Sequence, residues 1–157
     1  MKIVLLQTGK TTDKNVLGIA GFYTERIKKY SAFDIATIPE VRISSNLSVQ
    51  EQKHREGKKI LKAIAGEDYV ILLDERGSQL RTVEFSALLG KIFMISRKRI
   101  VFVIGGPWGV SEEVQSRADF RLSLSSMTFP HQLVRLLFLE QLYRAFTIIR
   151  GEQYHHE

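Results

Sequence analysis

The chain contains no cysteine. That excludes a thiolate nucleophile, a disulfide staple and any zinc site built on cysteine, and it fits a reducing compartment. Proline is scarce, at three of 157 residues, and no proline-rich, low-complexity or repeated segment divides the sequence. Residues 1–157 therefore read as one domain, long enough to bury a core without covalent help. No apolar run approaches the roughly 20 residues of a membrane span. The run Ile3 to Leu6 in "MKIVLLQTGK" is too short for a secretory signal core and lacks a small-residue cleavage site. The expectation is a soluble, cytoplasmic protein with no membrane partner. G-x-G-x-x-G and G-x-x-x-x-G-K-[ST] are both absent, which removes support for dinucleotide and P-loop readings. The four histidines, His54, His131, His155 and His156, form no metal spacing, so no metal is expected. Ser125 and Ser126 lie near His131, but no G-x-S-x-G elbow supports a serine hydrolase.

What is present is an ordinary globular composition, 44% hydrophobic and 25% charged, with a net charge of +6. The basic excess favours a polyanionic partner, nucleic acid above all. Apolar strand runs alternate with helical periodicity. Strands are predicted at 2–7, 33–38, 69–73, 99–104 and 120–124. Helices are predicted from Asp13 to Tyr30, over 48–65, 82–96 and 111–118, and from Pro130 to Ile149. Ser48 and Glu51 fit a capping box, and residues 40–47 read as a polar loop. Continuous apolar strands between helices specify an α/β fold, a mostly parallel sheet with helices on both faces. The last helix is apolar around nearly its whole circumference, from Leu133 to Phe146. Such a helix is buried on all sides, which leads to the expectation of a homodimer, with one side on the sheet and the other on a second subunit.

Open α/β sheets bind ligands beyond the C-terminal ends of their strands. Three such ends share a small, polar or glycine-rich character: "DERG" (74–77), "GGPWG" (105–109) and "SSMTFPH" (125–131). Gly105 and Gly106 permit close approach of backbone to a ligand, or simply a tight strand-to-helix turn. Basic residues cluster at 53–62 and in "RKR" (97–99), each a solvated surface or a phosphate-contacting one. The C-terminal "EQYHHE" (152–157) reads as a frayed end, a tag remnant or part of a site.

Taken together, "LLDERG" (72–77), "FVIGGPWG" (102–109), the stretch from Leu122 to Phe146 and the terminal "YHHE" resemble the ribosomal RNA large subunit methyltransferase H family of SPOUT methyltransferases, over the whole chain. The resemblance implies a homodimer with a C-terminal trefoil knot, using S-adenosyl-L-methionine to methylate N3 of a pseudouridine in 23S rRNA of the assembled ribosome. Matched to the family's motifs, Leu73, Gly105, Gly106, Leu124, Ser125, Ser126, Met127, Thr128 and Phe129 are implied to bind the cofactor. Pro130 and His131 match the start of the knotted helix. Tyr154 and His155 match a tail that reaches the active site of the dimer, with His155 as the candidate general base and Tyr154 placing the target base. The sequence departs from some relatives at His156, where they carry arginine. Competing readings are a SPOUT methyltransferase acting on another RNA such as tRNA, and a catalytically idle ribosome-binding module.

Overall fold

The computed structural model describes residues 1–41, 47–95 and 97–156. Ten elements alternate along the chain: β1 (Lys2–Thr8), α1 (Lys14–Lys28), β2 (Ala32–Ile38), α2 (Val49–Ala63), β3 (Tyr69–Gln79), α3 (Thr82–Phe93), β4 (Arg99–Ile104), α4 (Glu112–Arg117), β5 (Phe120–Ser123) and α5 (His131–Ile149). The strands form one sheet in the order β2-β1-β4-β3-β5, and every pairing is parallel. Part of the loop expected at 40–47 and the end of the helix expected at 82–96 lie outside the described residues.

Alternation along the strands sorts the core into two layers. Ile3, Leu5, Ile71, Ile100 and Phe102 face one side, where they meet Ile27 of α1, Phe85 and Leu89 of α3, and Phe138 and Leu142 of α5. Val4, Leu6, Val70, Leu72, Val101 and Val103 face the other, against Ile60 of α2 and Val114 of α4. Helices thus cover both faces, as a sheet of continuous apolar strands requires.

Two helix starts are set by local chemistry. The Asp13 carboxylate accepts from the amides of Asn15 and Val16, at 2.8 and 3.0 Å, and opens α1. Ser48 accepts from the Glu51 amide at 3.1 Å and opens α2. Half of the expected capping box is present, while the Glu51 carboxylate pairs forward with Arg55.

Two sequence expectations change. The third strand does not stop at Leu73. Its partner β5 pairs first with Ile71–Leu73 and again with Ser78 and Gln79, so residues 74–77 are a bulge inside β3 and not a free loop. The last helix is covered on two of its sides by its own chain. It packs between α1 and α3 over the sheet, and its only exposed large apolar residues are Leu133 and Ile149. Unpartnered apolar surface appears instead on α1, where Leu17, Ile19 and Phe22 are 48%, 48% and 51% exposed.

The N-terminal edge of the sheet is tied by charge. Asp68, buried between α2 and β3, accepts from the Ala65 amide at 2.7 Å and from Arg99 Nε at 2.9 Å, with a second contact from the Arg99 guanidinium. Arg117 donates to the carbonyls of Ala65 and Asp68, at 3.0 and 2.9 Å. Lys98 pairs with Glu67 at 3.3 Å. The "RKR" run is therefore largely engaged in structure, at the sheet edge where the strands begin. Burial alone raises the Asp68 pKa, but the Arg99 and Ala65 hydrogen bonds outweigh it and leave the carboxyl below its ordinary value. A depressed carboxyl stabilises the fold above the unfolded pKa and loses that contribution as pH falls through the folded one. Replacing Asp68 by Asn should cost about 2–4 kcal/mol at pH 7, somewhat below a fully buried pair because Arg99 is part-exposed. Urea titrations should show that gap shrinking as pH is lowered from about 5 to below 3.

Candidate active site

The C-terminal ends of β3, β4 and β5 open into a cavity of about 540 Å³. Its apolar floor is Leu73, the residue before the β3 bulge, Ile104 at the end of β4, Leu122 near the end of β5, and Leu124 just after it. Three segments form its walls: the β3 bulge, the Gly105–Val110 loop, and the segment from Ser125 to His131 that leads into α5.

Each wall is built by a local constraint. In the bulge, the Asp74 carboxylate accepts from the Arg76 amide at 3.0 Å, and Glu75 accepts from the Thr128 hydroxyl at 3.3 Å, which joins two walls. Gly77 lies so close to β5 that a Cβ there would sit 2.7 Å from the Arg121 carbonyl carbon and oxygen. In the second wall, Gly109 adopts φ +82° and its amide donates to the Gly106 carbonyl at 3.0 Å, closing a tight turn over Pro107 and Trp108. Side chains at Gly105 and Gly106 would meet Val110 at 2.6 Å and the Glu56 carboxylate at 2.9 Å. These glycines therefore serve the turn and also line the cavity. In the third wall, Ser123 Oγ donates to the Ser125 carbonyl and Ser125 Oγ accepts from the Met127 amide, both at 2.9 Å.

The start of α5 is held from the opposite side. Gln132 Oε1 accepts from the amides of Thr12 and Asp13 at 3.0 and 3.1 Å. Arg135, 2% exposed, donates to the Thr11 hydroxyl at 3.0 Å and to the Thr8 carbonyl. His131 and Val134 then face the cavity. Burial, with the Arg135 charge adding to it, pushes the His131 imidazole below its ordinary pKa, so it is a neutral group at pH 7.

Of the residues implied by resemblance, Leu73, Gly105, Gly106, Leu124, Ser125, Met127, Thr128 and Phe129 all line this cavity, whereas Ser126 is exposed and does not. Tyr154 and His155 lie elsewhere. Gly151, at φ +69°, turns the chain back after α5, and the Glu152 amide donates to the Thr147 carbonyl at 2.9 Å. The Tyr154 ring packs on Tyr143 with centroids 4.8 Å apart, the Arg144 guanidinium lies 4.8 Å from its centroid, and its hydroxyl is 3.4 Å from Glu140. Glu140 in turn holds Arg144 Nε at 2.9 Å, and Arg144 Nη1 faces His155 Nδ1 at 3.5 Å. The other ring nitrogen, His155 Nε2, is buried and has no hydrogen-bond partner among the described residues. Burial, with the Tyr23 hydroxyl and the Glu140 carboxylate, pushes the Tyr154 phenol up to about 12. It is a hydrogen-bond donor at neutral pH and not a base. At about 1.5 Å of rise per helical residue, the site on Arg144 is roughly 15 Å along α5 from Val134 at the cavity.

Several lining residues carry no mark in the sequence as ligand-facing: Lys53 of α2, Asp74, Glu75 and Arg76 of the bulge, and Trp108 of the turn. The quoted loops contain all of these except Lys53. Only the fold shows which side chains point inward.

The cavity suits S-adenosylmethionine. Four aliphatic side chains offer a dry face for a purine, and the Asp74 and Glu75 carboxylates suit a positively charged sulfonium and ammonium. Among the described residues no three His, Asp or Glu are grouped to hold a metal, and no helix is long and apolar enough to cross a membrane.

An all-parallel α/β sheet with a loop-walled cavity at the strands' C-terminal ends belongs to the open α/β proteins that bind their ligands at that end. The family model described as "Predicted SPOUT methyltransferase" matches residues 1–155. The chain belongs to the SPOUT methyltransferases, a family of S-adenosylmethionine-dependent enzymes. It is 49% identical over 157 residues, all of both chains, to ribosomal RNA large subunit methyltransferase H of Porphyromonas gingivalis. It is 47% identical over 156 residues, 99% of each chain, to the protein of the same name in Christiangramia forsetii. Among solved structures, a probable methyltransferase from Bordetella pertussis matches with a TM-score of 0.58 at 12% identity, over 92% of this chain and 94% of that one. A probable methylase family protein from Haemophilus influenzae matches with a TM-score of 0.53 at 16% identity, over 99% and 70%. These two likenesses are of fold.

Replacing Gly77 by Ala should destabilise the protein by about 1–3 kcal/mol, because the clash is with backbone that cannot swing aside. The same change at Gly90, inside α3 with nothing within 4 Å, should stabilise by roughly 0.5–1 kcal/mol. Thermal melts of the two variants should move in opposite directions.

Proposed function

We propose that this protein is a cytoplasmic, single-domain homodimeric enzyme that methylates N3 of a pseudouridine in 23S rRNA of the assembled large ribosomal subunit. The observation that carries the reading is the cavity itself: its walls are the three segments on which the resemblance to the methyltransferase H family rests, and relatives of that name align along the entire chain. The C-terminal trefoil knot comes with the same reading.

S-adenosylmethionine supplies a methyl group already activated on a positively charged sulfur. Transfer forms an N–C bond, breaks the S–C bond and releases the proton of N3. The chain has three tasks. Leu73, Ile104, Leu122 and Leu124 exclude water and hold the donor's apolar part, Asp74 and Glu75 hold its positive end, and the walls align donor with acceptor. Alignment of this kind lowers a barrier by roughly 7–11 kcal/mol. A base for the N3 proton adds typically 10²–10⁴-fold. We assign it to His155, with Tyr154 positioning the acceptor base, and both act at the cavity of the partner subunit. Support for action in trans is the tail's distance from the cavity of its own chain. Contact with RNA would free His155 Nδ1 from Arg144.

The dimer reading rests on α1. Leu17, Ile19 and Phe22 form exposed apolar surface beside α5, and a second copy would cover it. Light scattering at micromolar concentration should give a dimer mass, and Phe22→Glu should give a folded monomer. A monomeric native protein overturns this assignment.

Incubation of ribosomes with protein and S-adenosylmethionine, followed by mass mapping of pseudouridines, should add one methyl group to a large-subunit pseudouridine. Methylation of tRNA instead, or cofactor binding without transfer, would favour the competing readings. Removing residues 154–157 should leave cofactor affinity within about twofold while turnover falls by at least the ~10²-fold of a lost base. Mixing the truncated chain with a cavity-defective chain should restore part of the activity if the tail works in trans.

A further inference from the structure

Trp108 is the only tryptophan in the chain, and it is 52% exposed. A large aromatic left half in water contributes little to a core. Yet this one is held with care. It occupies the tip of the turn closed by Gly106 and Gly109, with Pro107 before it and a positive-φ glycine behind it. The turn's root is pressed against Val110 and Glu56 so closely that neither Gly105 nor Gly106 has room for a side chain. The indole therefore projects from a rigid base. Among the described residues its ring makes no aromatic or cation-π contact.

Its surroundings indicate what it meets. Trp108 lines the same cavity as Lys53 of α2 and Arg76 of the β3 bulge. Both cations lack a carboxylate partner within 4.0 Å among the described residues. An exposed flat ring that shares a cavity with cations lacking carboxylate partners is a combination that suits single-stranded nucleic acid: the ring stacks on a base and the cations take phosphates. A duplex offers phosphates but no free base face.

We propose that Trp108 is a stacking platform for an unpaired base of the RNA substrate, with Lys53 and Arg76 contacting phosphates beside it. The inference rests on the RNA methyltransferase reading above. It adds a positioning residue on the substrate side of the cavity, and it makes a looped or flipped nucleotide the required form of the substrate.

As the sole tryptophan, Trp108 reports directly on its own environment. Full-length protein at low salt would be titrated separately with an RNA hairpin bearing an unpaired loop, with a fully paired RNA duplex of equal length, and with S-adenosylmethionine alone. The looped RNA should quench the emission strongly, and the duplex and the cofactor should not. In ribosome methylation, Trp108→Ala should raise KM for ribosomes roughly 5- to 100-fold, the range expected for loss of one base–aromatic stack. Cofactor affinity should stay within about twofold, and Trp108→Phe should recover most of the loss. Quenching by cofactor alone with weakened cofactor binding in Trp108→Ala would make the indole a cofactor cover and overturn the proposal. So would an unchanged KM, or emission that responds only to dilution of the protein, the mark of a subunit contact. If the native enzyme methylates no ribosomal RNA, the functional reading fails on its own, and the quenching by looped RNA still decides the role of Trp108.

Discussion

A parallel sheet cannot leave either face in water, because its strands carry apolar side chains on both. Everything else in this structure follows from meeting that constraint with five strands and five helices. Covering two faces forces every connection to cross from one end of the sheet to the other. All strand C-termini then point the same way, and the segments leaving them are freed from core packing. The cavity is assembled from two of those segments and the bulge in β3, where backbone is at liberty to turn toward a ligand. The opposite edge is closed by Asp68, Arg99 and Arg117, and that closure keeps the strands in register for the open end.

The two ends also differ in how they treat charge. At the closed end, acid and base are matched and partly buried, so they act as structure. At the open end Asp74 is held by a backbone amide and only distantly by Arg121, at 4.0 Å, while Glu75 meets a hydroxyl. These carboxylates have no close cationic partner among the described residues and are open to a cationic ligand. Lys53 and Arg76 line the same cavity with the opposite sign. One cavity thus presents a negative part, suited to a sulfonium, and a positive part, suited to phosphate, which is the pairing that transfer from a cationic donor to a nucleic acid requires.

The architecture was legible in the sequence because its signals are local. Unbroken apolar runs such as Tyr69–Leu73 and Arg99–Ile104 cannot be surface strands, and the capping side chains Asp13 and Ser48 mark helix starts within a residue. The bulge in β3 was not legible, since it arises from β5 pairing twice with one strand across 40 residues of sequence. Nor was the covering of α5. An apolar circumference says that a helix is buried all round but not by what, and α1 and α3 cover two of its sides within the chain. In the cavity, the glycine turns and the serine-rich loop were visible as composition. Lys53 was not, because its helix shows a continuous basic face and only the crossing of α2 over the sheet singles out one lysine. In the "RKR" run the sequence does not distinguish Arg99, held by the buried Asp68, from its more exposed neighbours.

The tail after α5 has one more consequence. Tyr154 is clamped by Tyr143, Arg144 and Glu140, so this segment is ordered when the chain folds and not when RNA arrives. Fixing backbone costs roughly 1–2 kcal/mol per residue in conformational entropy. For residues 152–156 that cost is met by folding, in the currency of global stability. A loose tail would have charged it to every substrate encounter, slowing each one. The tail is then a preformed surface, held by its own polar partners before any substrate arrives.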